Sequence, residues 1–286
     1  MPTIELHRNP PLIWAHRGAR SLAAENTLLA VKLARQAGAD GWETDVVLSR
    51  DGVPILLHDL NLLRTTNASC HPLFADNPPP LPWRFTVAEM KQLNAGIFPP
   101  RQCGTPVARK MLEQGPIGPE NADMAVPTLE EGLQLSATLG LFVNIEIKDV
   151  STAMPKPLAD TIVSRVHEVI ARTGMADRVI ISSFQHRYLV QSRQLSPDIP
   201  IGALTPHEFS GDPVALVRSL AAQAWHPGYR QLTATAVAKA RRAEIAVTPY
   251  TVNSTNEMQR LAAWGVSGIV TDRPQDMSSL FSQPTR

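Results

Sequence analysis

Glu43 and Asp45 stand two residues apart in the run Gly-Trp-Glu-Thr-Asp-Val, and a strand of period two sets both carboxylates on one face. Like charges held that close need a cation, a proton or solvent between them. The flanking Trp42, Val46 and Val47 favour burial over a solvated edge. A second run, Phe142-Val-Asn-Ile-Glu-Ile-Lys148, alternates apolar with polar residues and aligns Asn144, Glu146 and Lys148 on one face. It adds a third carboxylate and an ammonium. Trp14-Ala-His16-Arg17-Gly18 brings an imidazole and a guanidinium to a chain turn that Gly18 eases. Three carboxylates with no neighbouring thiol suit a hard divalent cation, Ca²⁺ or Mg²⁺, better than a soft-ligand zinc site. Histidines beside cationic side chains suit a substrate with concentrated negative charge: the cations hold phosphate oxygens while imidazoles exchange protons near neutral pH. Phosphodiester cleavage fits this set.

Another histidine is tied in by local geometry. Pro54-Ile-Leu-Leu-His58 follows Ser49-Arg-Asp-Gly52, and Asp-Gly between apolar runs signals a tight hairpin. A two-residue turn at Asp51-Gly52 pairs Arg50 with Val53 and, counted back along both arms, sets Asp45 opposite His58. Cross-strand partners lie about 5 Å apart on one face. Asn26, in Glu25-Asn-Thr27, reads as a helix cap.

These residues need a scaffold that gathers strand ends. Short apolar runs at Leu12–Ala15, Gly41–Leu48, Leu141–Lys148, Val179–Phe184, Ile199–Leu204, Gln223–His226, Ile245–Val252 and Gly268–Thr271 alternate with helical periodicity. The helical segments are Glu25–Gln36, Leu129–Leu139, Leu158–Arg172, Arg187–Gln194, Val214–Ala222, Ala234–Arg242 and Glu257–Trp264. This is the pattern of a (β/α)8 TIM barrel, with the hairpin after strand two lying outside the staves. A doubly wound open sheet shares the alternation but usually stops at five or six strands. One domain over 1–286 is expected. Leu60–Val126 breaks the rhythm with ten prolines and reads as an insertion or cap of turns and short helices.

Composition narrows the partners. With 27 Lys+Arg against 26 Asp+Glu there is no broad basic footprint for nucleic acid or anionic lipid. Hydrophobic residues make up 43% of the chain, enough for a large core. No stretch of about 20 apolar residues offers stable membrane insertion. Two cysteines, Cys70 and Cys103, and an N-terminus without an apolar h-region point to a reduced, cytoplasmic setting. Nothing in the pattern speaks to oligomeric state.

Taken in order, His16-Arg17-Gly18, Glu25-Asn26-Thr27, Glu43-x-Asp45, Pro54 to His58-Asp59, Val126 to Glu131, Asn144-Ile-Glu146-Ile-Lys148, Ser182-Ser-Phe184, Thr251-Val-Asn253 and Gly268 to Asp272-Arg-Pro274 resemble the glycerophosphodiester phosphodiesterase family. The resemblance implies a barrel that hydrolyses glycerophosphodiesters to glycerol 3-phosphate and an alcohol. It implies Glu43, Asp45 and Glu146 as metal ligands, His16 and His58 as the acid/base pair, and Arg17 and Lys148 on the phosphate. Phe184, Tyr250 and Asn253 fall on the substrate side, and the insertion shapes access without supplying chemistry. Ala24 stands where the family often has Pro, Thr44 where Leu is usual, and Tyr250 where Trp commonly forms an aromatic platform. The lysophospholipase D reaction is a close variant. A phospholipase C-like barrel working through a cyclic phosphate and a catalytically silent phospho-ligand barrel are the rivals. A metal-dependent sugar isomerase would leave Arg17 and Lys148 unassigned.

Overall fold

Short β-branched and apolar runs become strands because they fit a pleated surface covered on both faces. The computed structural model describes residues 10–96 and 119–281. Among these residues one sheet holds β1 (Leu12–His16), β2 (Gly41–Leu48), β3 (Pro54–Leu56), β4 (Phe142–Ile147), β5 (Val179–Ser183), β6 (Ile201–Thr205), β7 (Ala224–Pro227), β8 (Ala246–Val247) and β9 (Gly268–Thr271). All but β3 pair in parallel, in the order β8-β7-β6-β5-β4-β2-β1-β9. Backbone hydrogen bonds join the two ends: Ser267 N–H donates to Val247 at 2.8 Å, Val270 N–H to Pro249 at 3.0 Å and Val252 N–H to Val270 at 2.9 Å. The chain is the expected (β/α)8 barrel. The last stave but one is shorter than the predicted Ile245–Val252, because Pro249 has no N–H to give to a ladder.

Parallel neighbours need crossovers. These are α1 (Leu28–Gln36), α2 (Leu129–Leu139), α3 (Ile162–Thr173), α4 (His186–Leu195), α5 (Pro213–Ser219), α6 (Ala234–Arg242) and α7 (Thr255–Ala263), with α8 (Pro274–Phe281) after β9. Each carries an apolar stripe; α3 buries Ile162, Val163, Val166 and Ile170 at helical spacing and ends at Gly174 in the left-handed region. The matched segment Val126–Glu131 proves to be helix-starting chemistry. Thr128 Oγ1 accepts from Glu131 N–H while Glu131 Oε2 accepts from Thr128 N–H. Inside the barrel, Leu12, Trp14, Ile180, Ala224, Ala246 and Val270 form an apolar plug. The polar inward residues of β2 and β4 sit above it. No helix among the described residues is long and apolar enough to cross a membrane.

The hairpin forms with a different turn. β2 and β3 pair as Val46↔Leu56, Val47↔Ile55 and Leu48↔Pro54, one residue out of the predicted register. Ser49 N–H donates to Val53, Gly52 N–H donates to Ser49, and Gly52 has φ +72. The loop is therefore Arg50-Asp51-Gly52, a three-residue connection with glycine in the left-handed position. Leu57, not His58, lies across from Asp45, its N–H 3.0 Å from the Asp45 carbonyl. A one-residue slip turns a strand residue to the opposite face. β3 ends at Leu56, however, so His58 lies beyond the ladder and takes its direction from side-chain bonds.

The described part of the insertion consists of one- or two-turn helices at Ala68–Cys70, Pro72–Ala75, Pro82–Arg84, Val87–Met90 and Pro119–Met124. Its centre, residues 97–118 with Cys103, lies outside the described residues. Phe74, Trp83, Phe85, Met90 and Leu93 are buried. Arg50 N–H donates to Phe85 O, and Val87 N–H to Asp51 Oδ1. This half buttresses the hairpin loop.

Candidate active site

Neighbouring strands set the acidic cluster. β2 and β4 run side by side with Glu43 level with Asn144 and Asp45 level with Glu146. Inward alternation then gathers one carboxylate oxygen each from Glu43, Asp45 and Glu146 within 4.8 Å of one another, all three residues buried. Lys148 Nζ donates to Glu146 Oε1 at 2.7 Å and lies 3.3 Å from Asp45 Oδ1. Arg17 gives its backbone N–H to Glu43 Oε2 at 3.2 Å and its Nη1 to Glu25 Oε1 at 2.8 Å. Its Nε is 3.1 Å from Asp45 Oδ2, an ion pair too poorly aligned to count as a hydrogen bond.

Charge is divided unevenly among the three acids. Burial first, then Asp45 and Glu146, push the Glu43 carboxyl well above its usual range. Glu146 rises for the same first reason. Asp45 goes the other way, because Arg17 and Lys148 outweigh its burial. Asp45 Oδ1 is buried without a hydrogen bond. Three oxygen donors this close, one lacking a hydrogen-bond donor, fit a hard divalent cation.

Both histidines are held in one way. His16 ends β1 with Nδ1 2.6 Å from Asp272 Oδ1 and Nε2 3.9 Å from Glu43 Oε2. His58 has Nδ1 2.7 Å from Asp59 Oδ1. An ionised carboxylate only accepts, which puts the ring proton on Nδ1 and leaves Nε2 to meet a substrate. Burial lowers the His16 pKa against the pull of Asp272. Asp272 is held at about 2: burial opposes ionisation, and His16, Arg20 and Asn253 overcome it. Sequence reasoning quoted Asp59 and Asp272 but gave them no role, since only barrel closure brings residue 272 to residue 16.

Asn26 is not the cap. Thr27 caps α1, its side chain accepting from Ala30 N–H. Asn26, at φ +56, donates from Nδ2 to Asp45 Oδ2 at 3.1 Å and accepts from Thr44 Oγ1 at 2.9 Å. It orients the acid. Gly18, at φ +79, is needed where it stands, because a Cβ there would lie 2.7 Å from Ala30 Cβ. Glu25 takes Arg17 at 2.8 Å, Arg20 at 3.0 Å and Arg64 at 2.7 and 3.0 Å. Those arginines overcome burial and hold Glu25 at about 2.

A narrow pocket opens above the carboxylates, lined by His16, Glu43 and Glu146 with Phe184, His226 and Tyr250. Phe184 stands at its rim, 42% exposed and edge-on to Tyr250 with ring centres 5.9 Å apart. Tyr250 spends its hydroxyl on the Thr205 carbonyl at 2.8 Å, so its ring face and edge are what it offers a ligand. The Asn253 amide is engaged with Asp272, donating from Nδ2 at 2.7 Å and accepting Asp272 N–H at 2.9 Å. Asn144, placed by its alternation on the face of Glu146, and Ser182, quoted only as part of a matched segment, also line the pocket, as does His226, which a lone polar residue in an apolar run left unassigned. Burial lowers His226 to about 4.

Residues 16–276 match the family model described as the glycerophosphoryl diester phosphodiesterase family. A glycerophosphodiester phosphodiesterase of Caldanaerobacter subterraneus subsp. tengcongensis is 31% identical over 269 residues, 94% of this chain and 97% of that protein. One from Bacillus altitudinis is 31% identical over 265 residues, covering 92% and 94%. Among solved structures, an Oleispira antarctica phosphodiesterase in complex with the product sn-glycerol-3-phosphate is similar with a TM-score of 0.77 and 26% identity, covering 96% of this chain and 97% of that one.

Proposed function

The chain belongs to the glycerophosphoryl diester phosphodiesterase family, and as such an enzyme we propose that it hydrolyses glycerophosphodiesters to glycerol 3-phosphate and an alcohol. Glu43, Asp45 and Glu146 hold one divalent cation, Ca²⁺ or Mg²⁺. His16 and His58 are the general acid and base. Arg17 and Lys148 bind the phosphate. The observation that carries this reading is convergence: three carboxylate oxygens within 4.8 Å of one another, with His16, Arg17 and Lys148 in contact with them. The similar Oleispira antarctica enzyme in complex with sn-glycerol-3-phosphate supports the product.

The bound cation supplies Lewis-acid stabilisation of charge on the phosphoryl oxygens. The chain's own residues do the rest. Lys148 and Arg17 are the counter-ions of the cluster and the cationic groups beside it that a phosphate would meet. Arg17 stays fixed by Glu25 and Lys148 by Glu146, so both present pre-aimed charge. At Nε2, one imidazole takes the proton of the attacking group and the other gives one to the leaving alkoxide. Asp272 and Asp59 hold the rings while this happens. Phe184 and Tyr250 flank the organic part of the substrate.

The test is incubation of the purified protein with several glycerophosphodiesters before and after chelation. Glycerol 3-phosphate and free alcohol should appear, stop with chelator and resume on adding Ca²⁺ or Mg²⁺. A cyclic phosphate product would make the reaction phospholipase C-like. Full turnover in chelator, with no metal by elemental analysis, would remove the cation from the mechanism.

A further inference from the structure

Beyond fixing Arg17 and orienting Asp45, the segment Glu25-Asn26-Thr27 joins the start of the insertion in a continuous chain of charged side chains. Arg64 uses both edges of its guanidinium. Nε and Nη2 donate to Asp59 Oδ2 and Oδ1 at 2.6 and 2.9 Å, and Nη1 and Nη2 donate to Glu25 Oε2 and Oε1 at 3.0 and 2.7 Å. Asp59 holds His58. On the other side of Glu25, Arg20 Nη2 lies 3.0 Å from Glu25 Oε2 and Nη1 lies 3.6 Å from Asp272 Oδ1, the oxygen that takes His16 Nδ1. Arg17 joins the same Glu25 carboxylate. The path His58–Asp59–Arg64–Glu25–Arg20–Asp272–His16 therefore spans from the end of the hairpin to the last barrel stave. The Glu25 side chain, 4% exposed, is at its centre.

Resting on the proposed phosphodiesterase reaction, we infer that Glu25 is the keystone of an arch, with Arg64 and Arg20 as its arms, that positions both histidines. None of the three is a catalytic residue; each acts through an imidazole it does not touch. The two arms are unequal. Arg64 makes four short charge-assisted hydrogen bonds, and a lysine cannot reproduce a fork that engages two carboxylates. Arg20 reaches Asp272 only as a longer ion pair, and Asn253 also holds that aspartate. The insertion, expected to shape access without supplying chemistry, thereby contributes a positioning residue, for Arg64 is its own.

The arms make separable predictions, read as kcat at saturating cation on a glycerophosphodiester with an unactivated alkyl alcohol as leaving group, whose hydrolysis needs both the acid and the base. Arg64→Ala should lower kcat on the order of 10–10²-fold through misplacement of His58, Arg20→Ala by less, and Arg64→Lys by an intermediate amount. In a His58→Ala background the Arg64→Ala loss should shrink to within about threefold, while in a His16→Ala background it should persist, because residues acting as a unit are non-additive. For Arg20→Ala the pattern should be reversed. Melting temperatures identify any variant that has not folded, and Arg64→Lys then carries the same comparison. Wild-type kcat in folded Arg64→Ala, or equal fold-losses in both histidine backgrounds, would overturn the arch. Absence of turnover by the wild-type protein would instead overturn the reaction, and the arch with it.

Discussion

Replacing Asp272 by asparagine, the closest change in shape, should damage the enzyme more than replacing it by alanine. Asn253 explains why. Its Oδ1 accepts the Asp272 backbone N–H at 2.9 Å and the Thr271 hydroxyl at 3.2 Å, which pins its Nδ2 toward Asp272 Oδ2 at 2.7 Å. An asparagine at 272 must therefore present its carbonyl oxygen to Asn253 and its NH₂ to His16 Nδ1, now 2.6 Å from a carboxylate oxygen. His16 Nδ1 would have to accept and Nε2 would carry the proton, the reverse of the tautomer the aspartate imposes. The alanine variant loses only the anchor. Asp272 is held at about 2 against an ordinary 3.8, a preference for the charged form on the order of 2 kcal/mol. His16 is one of the partners in that preference, so losing the anchor in Asp272→Ala should cost on the order of 10-fold in rate. Asp272→Asn should cost on the order of 10²–10⁴. The assay is kcat/KM against pH on a glycerophosphodiester at saturating cation, with folding checked by thermal melting. An asparagine variant as active as the alanine variant would refute tautomer control by Asp272.

The remaining expectations follow from the same geometry. Glu146→Gln should weaken divalent-cation binding roughly 10²-fold or more by calorimetry, and unchanged affinity would remove Glu146 from the ligand set. Glu25, held at about 2 instead of 4.5, contributes stability that is complete above pH about 4.5 and is lost as pH falls toward 2, amounting to about 3 kcal/mol. Urea unfolding of wild type and Glu25→Gln between pH 6 and 3 should show the variant with the flatter pH dependence; parallel curves would contradict the assignment. Gly52→Ala should cost about 1–2 kcal/mol, because φ is +72 while an added Cβ meets only Arg165 and Leu158 at ordinary contact distances. No loss of stability would mean the three-residue hairpin loop is wrong.

The barrel and its acidic cluster could be read from the sequence because both follow from periodicity. Staves covered on two faces are short apolar runs, and Glu43, Asp45 and Glu146 share an inward face by counting in twos. What failed was a count that the residues leave open. Asp-Gly serves a two-residue turn and equally a three-residue loop with glycine in the left-handed position, and the difference of one residue sets His58 off the predicted partner. The cost of that error is small for a physical reason: β3 stops at Leu56, so His58 is aimed by Asp59 and not by the pleat. Strand eight was misjudged despite a visible sign, the missing N–H of Pro249. The anchors could not have been read at all. Asp272 reaches His16 only when the last stave closes on the first, and Arg64 finds Glu25 only after the insertion folds back from the hairpin. An aspartate on Nδ1 is common to both histidines, so the anchors do not distinguish acid from base. The distinction must come from what each Nε2 faces. For His16 that is the Glu43 carboxylate at 3.9 Å, a member of the acidic cluster with Asp45 and Glu146. A cation held there as proposed would reach the protonation of His16 through Glu43, two positions from Asp45 on β2.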